Sequence, residues 1–277
     1  MIHLEAPLVI LSMVAVVSLA FSSQSDSQPS SKPGGVGGAS SKLSSQPAGI
    51  NTRQPVEHTG DGAPAKHEKY LAQVAEVRAG TRHIDVLFLG DSITEGWIAP
   101  TRGLKLFQEH YGPLNGAAFG VGSDHSQNVL WRITHGEVDG LSPKVIVLLI
   151  GANQVGSKYT VGNVVDGVAT IISTLHRQLP QTKVLVLGVF PEEPSPGDNF
   201  YQKIRDINAG LAKLDNGNNV RFLDFGDKLL GPGGKVTLEL MNDGTHLTPK
   251  GYEIWIREMD PLLMEMLGKG PASSPAK

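Results

Sequence analysis

The chain has no cysteine, which excludes disulfides, a thiol nucleophile and lipid attachment through an N-terminal cysteine. It also lacks any block of like charge. The formal net charge is −3, with acidic and basic residues interspersed, so there is no electrostatic footprint for nucleic acid or an anionic membrane surface. A small or neutral substrate is expected, and no nucleic-acid partner. Long apolar runs are missing too, apart from Ala6 to Phe21, interrupted by Ser12 and Ser18. That run has the length of a signal-peptide core and is short for a membrane span. Export to a secreted or periplasmic location is therefore expected, with an uncleaved anchor as the alternative and a membrane as partner only in that case. From Ser22 to Lys66 there is no aromatic residue, and Ser, Gly, Pro and Gln dominate. Such a stretch cannot bury enough apolar surface to offset its ordering entropy.

What is present is enough for one core: 277 residues, 40% of them hydrophobic, suit one domain with extensions. The expected organisation is a signal segment over 1–21, a disordered linker over 22–66, a catalytic domain over 67–268 and a disordered tail over 269–277. Within the domain, Ile84 to Leu89, Val145 to Ile150, Lys183 to Val189 and Val220 to Phe225 are apolar runs of the kind that form strands buried on both faces. A short further strand is expected near Leu114 to Ala118. Val161, Val164, Val165, Val168, Ile171, Ile172 and Leu175 fall at helical spacing, and Pro180 stops the pattern. Ile204, Ile207, Leu211 and Leu214 repeat that spacing. Thr248-Pro249 opens a last helix as N-cap and first-turn proline. This alternation predicts an α/β fold: a three-layer αβα sandwich on a flavodoxin-like, doubly wound sheet of about five parallel strands.

In such a sheet, ligands bind beyond the carboxyl ends of the strands. Gly90-Asp91-Ser92-Ile93-Thr94 puts a serine at that edge, where it is either a nucleophile or part of an ordinary turn. Gly151-Ala152-Asn153-Gln154 offers a side-chain amide to an oxyanion, or to its own backbone. Asp243-Gly244-Thr245-His246 spaces a carboxylate to hold an imidazole whose other nitrogen faces a serine. Phe119-Gly120-Val121-Gly122-Ser123-Asp124 is a loop able to present N–H groups to an anion. Each feature alone is compatible with a turn. Chemistry at one sheet edge accounts for all four together.

At these residues the chain resembles the SGNH (GDSL-type) hydrolase family. The resemblance runs in block order through Leu87 to Thr94, Ser123-Asp124, Ile150 to Asn153 and Asp243 to His246. The stretch Asn128-Val129-Leu130-Trp131-Arg132-Ile133, with Gly136-Glu137 and Pro143-Lys144, is similar to the catalytic subunits of platelet-activating factor acetylhydrolase and their bacterial relatives. The resemblance implies Ser92 as nucleophile, His246 as base and Asp243 as its orienting acid, with Ser92, Ser123 and Asn153 as oxyanion donors. Ser123 stands where the family has glycine, and Gln154 where it has asparagine at a substrate-contacting position. The implied activity is hydrolysis of short acyl esters, acetyl above all, through an acyl-enzyme. Carbohydrate outside the cell is the expected carrier, and a phospholipid acetylhydrolase or lysophospholipase is the alternative. No cofactor or metal is called for. His125, beside the glycine loop, is expected to be structural. Two readings of another class keep the fold: a receiver-like signalling module with Asp91 as phospho-acceptor, and a non-catalytic binding protein. The oligomeric state is left open.

Overall fold

In a computed structural model of the chain, which describes residues 49–193 and 199–270, five parallel strands form one sheet. They are β1 (Val86–Gly90), β2 (Gly116–Gly120), β3 (Val145–Leu149), β4 (Lys183–Leu187) and β5 (Val220–Leu223). The order β2-β1-β3-β4-β5 is that of the flavodoxin type of doubly wound sheet. All five expected strands form, each within two residues of its expected start. β1 and β3 are buried along their whole length, which is why their sequences are continuous rather than alternating.

The helices follow the same logic. α1 (Ala63–Arg78) precedes β1, α2 (Ser92–Glu95) and α3 (Leu104–His110) follow it, and α4 (Ser126–Thr134) follows β2. α5 (Ala152–Val155) and α6 (Val161–Gln178) follow β3, α7 (Phe200–Leu211) follows β4, and α8 (Pro249–Met266) closes the domain. Thr160 caps α6 by accepting the Asn163 N–H at 3.1 Å, and Thr248 caps α8 through the Gly251 N–H at 3.3 Å. On one face of the sheet α4 packs on α6 and α6 on α7. On the other, Phe88 sits among Trp97, Phe107, Tyr111 and Trp255.

Register positions the site. Gly90 lies opposite Gly120 on one side and Leu149 on the other, so β1, β2 and β3 end level and the three following loops emerge side by side. The two glycines permit α2 to sit directly on those ends. A Cβ on Gly120 would lie 2.0 Å from the Glu95 nitrogen, and one on Gly90 would lie 2.4 Å from Thr94 Oγ1, both in α2. Both distances are below any van der Waals contact, so a side chain at either place pushes α2 off the sheet.

The expected linker boundary at residue 66 is corrected. α1 begins at Ala63, and residues from Ile50 onward already make specific hydrogen bonds to the domain. This order rests on polar contacts, which the composition argument does not weigh. The remainder of the expected linker, the apolar run Ala6 to Phe21, and the tail beyond residue 270 lie outside the described residues. Within the described residues, no helix is long and apolar enough to cross a membrane.

Candidate active site

Ser92 is the first residue of α2. Asp91 is its N-cap and accepts the Ile93 N–H at 3.0 Å. The first N–H groups of a helix have no partner within it, so the Ser92 N–H has no acceptor inside α2. The Ser92 hydroxyl lies 2.9 Å from His246 Nε2. On the far side of the ring, His246 Nδ1 is 2.7 Å from Asp243 Oδ2. The other carboxylate oxygen of Asp243 accepts the main-chain N–H groups of His246 at 2.7 Å and Thr245 at 3.1 Å. Residues 154 positions apart in the chain thus form one Ser–His–Asp row. Because a carboxylate accepts and does not donate, Nδ1 carries the proton and Nε2 is free to take one from the serine.

Burial pushes the Asp243 carboxyl upward, but the His246 N–H, its imidazole and the Thr245 N–H outweigh this and hold it at about 2. It is ionised throughout the pH range in which a histidine works as a base. The side chains of His246 and Asp243 are 26% and 47% exposed, so this side of the row is open to solvent.

The residues expected to receive an oxyanion lie on the loops after β2 and β3. A Cβ on Gly122 would stand 3.8 Å from Ser92 Cβ, which brings the Gly122-Ser123 peptide alongside the serine. Ser123 has φ 62°, the left-handed conformation that glycine adopts freely and that costs another residue about 1–2 kcal/mol. This explains why a glycine serves well there. The serine side chain points to solvent and its N–H remains. Asn153, in α5, donates one amide hydrogen to the Asp124 carbonyl at 3.0 Å, and an amide has a second to offer. Every residue expected in the site is therefore at one sheet edge.

Two expectations change. Gln154 is fully buried and its Oε1 accepts the Ser126 N–H at 3.0 Å, so it anchors the start of α4 rather than meeting substrate. Asp91 is also fully buried. Enclosed in this way, engaged as the N-cap of α2 and with its pKa pushed up by burial to about 8, the carboxyl offers no access to a phosphoryl donor, which removes the receiver-like reading. His125, expected to be structural, has its Nδ1 3.1 Å from the Tyr159 hydroxyl and a pKa lowered by burial.

Behind the site runs a buried ionic row that the motifs did not assemble. Arg132, wholly enclosed, donates from Nε to Asp124 Oδ2 at 2.9 Å and from Nη2 to the Gly90 carbonyl at 3.0 Å, and pairs through Nη1 with Glu137 Oε2. Burial opposes its charge, but Glu137 and Asp124 outweigh that and raise its pKa. His58 Nδ1 meets Asp124 at 2.9 Å and His67 Nδ1 meets Glu137 at 2.8 Å, so a histidine closes each end. Tyr70 donates to the Gly120 carbonyl at 2.6 Å. Glu192, after β4, is a further carboxyl near Asp243, and burial lifts its pKa to about 7. Arg132 and Glu137 lay inside the quoted resemblance. His58 and Glu192 carried no signal, since each sits among turn-forming residues.

Comparison with known proteins gives a consistent picture. A model of the GDSL-like lipase/acylhydrolase family matches residues 88–254. Platelet-activating factor acetylhydrolase IB subunit alpha2 of Rattus norvegicus is 32% identical over 190 residues, covering 68% of this chain and 79% of that protein. A GDSL-like lipase from Bacteroides thetaiotaomicron has a TM-score of 0.59 at 21% identity, over 73% of this chain and 98% of the other. A catalytic mutant of an acetylxylan esterase from Geobacillus stearothermophilus has a TM-score of 0.52 at 16% identity, over 70% and 98%. The two structural likenesses speak to fold alone.

Proposed function

From the premise that the chain belongs to the GDSL-like lipase/acylhydrolase family, and so is a carboxylic ester hydrolase, we propose that it removes short acyl groups, acetyl above all, through an acyl-enzyme on Ser92, and that its natural ester is carried by carbohydrate outside the cell. One observation carries the chemistry: the Ser92 hydroxyl is 2.9 Å from His246 Nε2 while His246 Nδ1 is 2.7 Å from Asp243.

Ser92 Oγ attacks the ester carbonyl carbon as its proton passes to His246 Nε2. The tetrahedral oxyanion is received by the N–H groups of Ser92 and Ser123 and by the Asn153 amide. The imidazolium, steadied by ionised Asp243, gives its proton to the departing alcohol. Water then attacks the acyl-serine with His246 as base, and the carboxylic acid leaves. Loss of one oxyanion donor is expected to cost about 10²–10³ in turnover.

The acyl preference is supported by the acetylhydrolase relatives at 32% identity. The open flank of the site, where Asp243 is half exposed, suits a bulky polar alcohol better than an acyl chain needing enclosure. Export is supported by the apolar run Ala6 to Phe21. The name of the same relatives favours a second reading, a phospholipid acetyl ester. Hydrolysis of p-nitrophenyl acetate, with Ser92→Ala as blank, tests the chemistry, and a rate no higher than the blank refutes it. Preference for p-nitrophenyl octanoate refutes the short-acyl assignment. Acetylated xylo-oligosaccharide set against an sn-2 acetyl phospholipid decides the carrier.

A further inference from the structure

The segment 50–58 lies along α4 and the start of α6. Thr52, 2% exposed, donates to the Asn163 carbonyl at 2.7 Å, and the Asn163 amide donates to the Ile50 carbonyl at 3.0 Å. Val56 exchanges two bonds with α4: its N–H donates to the Gln127 carbonyl at 3.1 Å, and its carbonyl accepts the Asn128 amide at 2.9 Å. These contacts deliver His58, whose side chain is 16% exposed, to Asp124.

Asp124 is where the oxyanion side of the site is held. Its main-chain carbonyl bears the Asn153 amide at 3.0 Å, its peptide follows Ser123, and its fully buried carboxylate is shared between Arg132 on Oδ2 and His58 on Oδ1. Arg132 alone leaves Oδ1 without a donor in an enclosed space, where a missing hydrogen bond carries its full desolvation cost. His58 and Arg132 together hold the Asp124 side chain from two sides, and with His58 gone that side chain is free to swing toward another donor, which loosens the main chain of residue 124 and with it the carbonyl that Asn153 hangs from.

We propose that His58, brought in by the segment 50–58, is a positioning residue for the oxyanion hole, fixing Asp124 so that the Ser123 N–H and the Asn153 amide converge on one point beside Ser92. It rests on the reading of those two groups as oxyanion donors. His58 touches no reacting atom. Its effect falls on the tetrahedral state, where the oxyanion forms, and not on ground-state binding.

The test uses the full chain and p-nitrophenyl acetate. His58→Asn keeps an N–H donor near the Nδ1 position, and His58→Leu keeps the volume without a donor. The Leu variant is expected to lose about 10-fold in kcat, part of what a whole oxyanion donor supplies, with KM within about 2-fold of the parent. Its affinity for phenylboronic acid, which forms a tetrahedral adduct on the serine, should weaken in step. The Asn variant should recover to within about 3-fold of the parent kcat. An unchanged kcat in His58→Leu overturns the proposal, as does a loss that His58→Asn fails to restore. If His58→Leu does not fold, His58→Gln, whose amide reaches past the Nδ1 position, is expected to show the same kcat-selective loss, and parental kcat there overturns the proposal equally. A parent protein no faster than Ser92→Ala overturns the functional reading and this one with it. A fast parent with an indifferent His58 overturns this one alone.

Discussion

Arg132→Met removes a guanidinium that serves three acceptors at once: Asp124, Glu137 and the Gly90 carbonyl. Neither carboxylate can reach water, since both are 0% exposed, and methionine fills much of the space without offering a donor. Breaking a buried pair by deleting one partner costs about 3–5 kcal/mol. The two carboxylates do not double that figure, because each can take up a proton and each keeps a histidine, His58 or His67. In a domain of this size about 2–4 °C of Tm is lost per kcal/mol, so a drop of about 6–20 °C is expected. Placing Arg132→Met together with Asp124→Asn and Glu137→Gln removes the stranded charges, and most of the loss should return. The assay is equilibrium urea unfolding of parent, single and triple variants at one pH, compared at equal m-value. A single-variant loss under about 1 kcal/mol, or a triple variant no more stable than the single, refutes the account of this row as mutually compensating buried charge.

Three further outcomes are expected. Asp243→Asn should lower kcat about 10³–10⁴-fold by favouring the wrong imidazole tautomer, and because the Asp243 carboxyl is depressed to about 2, its contribution to stability is present at neutral pH and fades as pH falls from about 4 through about 2. Urea midpoints of parent and variant at pH 6 and pH 3 check this, and a parent advantage that grows at pH 3 contradicts it. Glu192→Gln concerns a carboxyl whose pKa burial raises from 4.5 to about 7. The folded parent therefore holds a proton that the unfolded chain releases, and parent stability falls by about 3 kcal/mol as pH rises from about 4.5 to about 7, while the variant's does not. Equal pH slopes for the two proteins would count against it. Ser123→Gly relieves the left-handed backbone at φ 62° but loosens the unfolded chain, so stability should change by less than about 1 kcal/mol. Its kcat should stay within about 3-fold, because the N–H is kept; a larger loss assigns a role to the hydroxyl.

The sheet was legible because strands covered on both faces must be apolar throughout, and β3 (Val145–Leu149) and β4 (Lys183–Leu187) read that way in the sequence. β2 (Gly116–Gly120) was harder, since Gly120 serves the close approach of α2, Gly116 that of Tyr111, and the glycines and alanines leave little hydrophobic signal. Ser92 and Asn153 were candidates from their places at strand ends, and Asp243 and His246 from their spacing before the last helix, whereas the donor role of Ser123 came from the resemblance. The ordered segment 50–58 was not. It is held by Thr52, Val56 and His58 through hydrogen bonds to residues more than 65 positions away, and sequence-local composition contains no record of such partners. Glu192 escaped for a related reason: its altered acidity comes from enclosure in the fold, not from its neighbours in the chain.

The proposed acid and base ride on a single four-residue turn, Asp243 to His246, and within it the carboxylate is bound to the turn's own N–H groups as well as to the ring. One side-chain hydrogen bond links this row to the nucleophile. The turn is thus a cartridge: shifted by an ångström or two, it takes proton acceptor and counter-ion away together, and Ser92 is left an ordinary alcohol while the histidine–aspartate couple survives intact. A compound wedged beneath that turn would silence the enzyme without competing for the serine, and a serine-directed covalent probe would report the difference as slowed labelling rather than a blocked site.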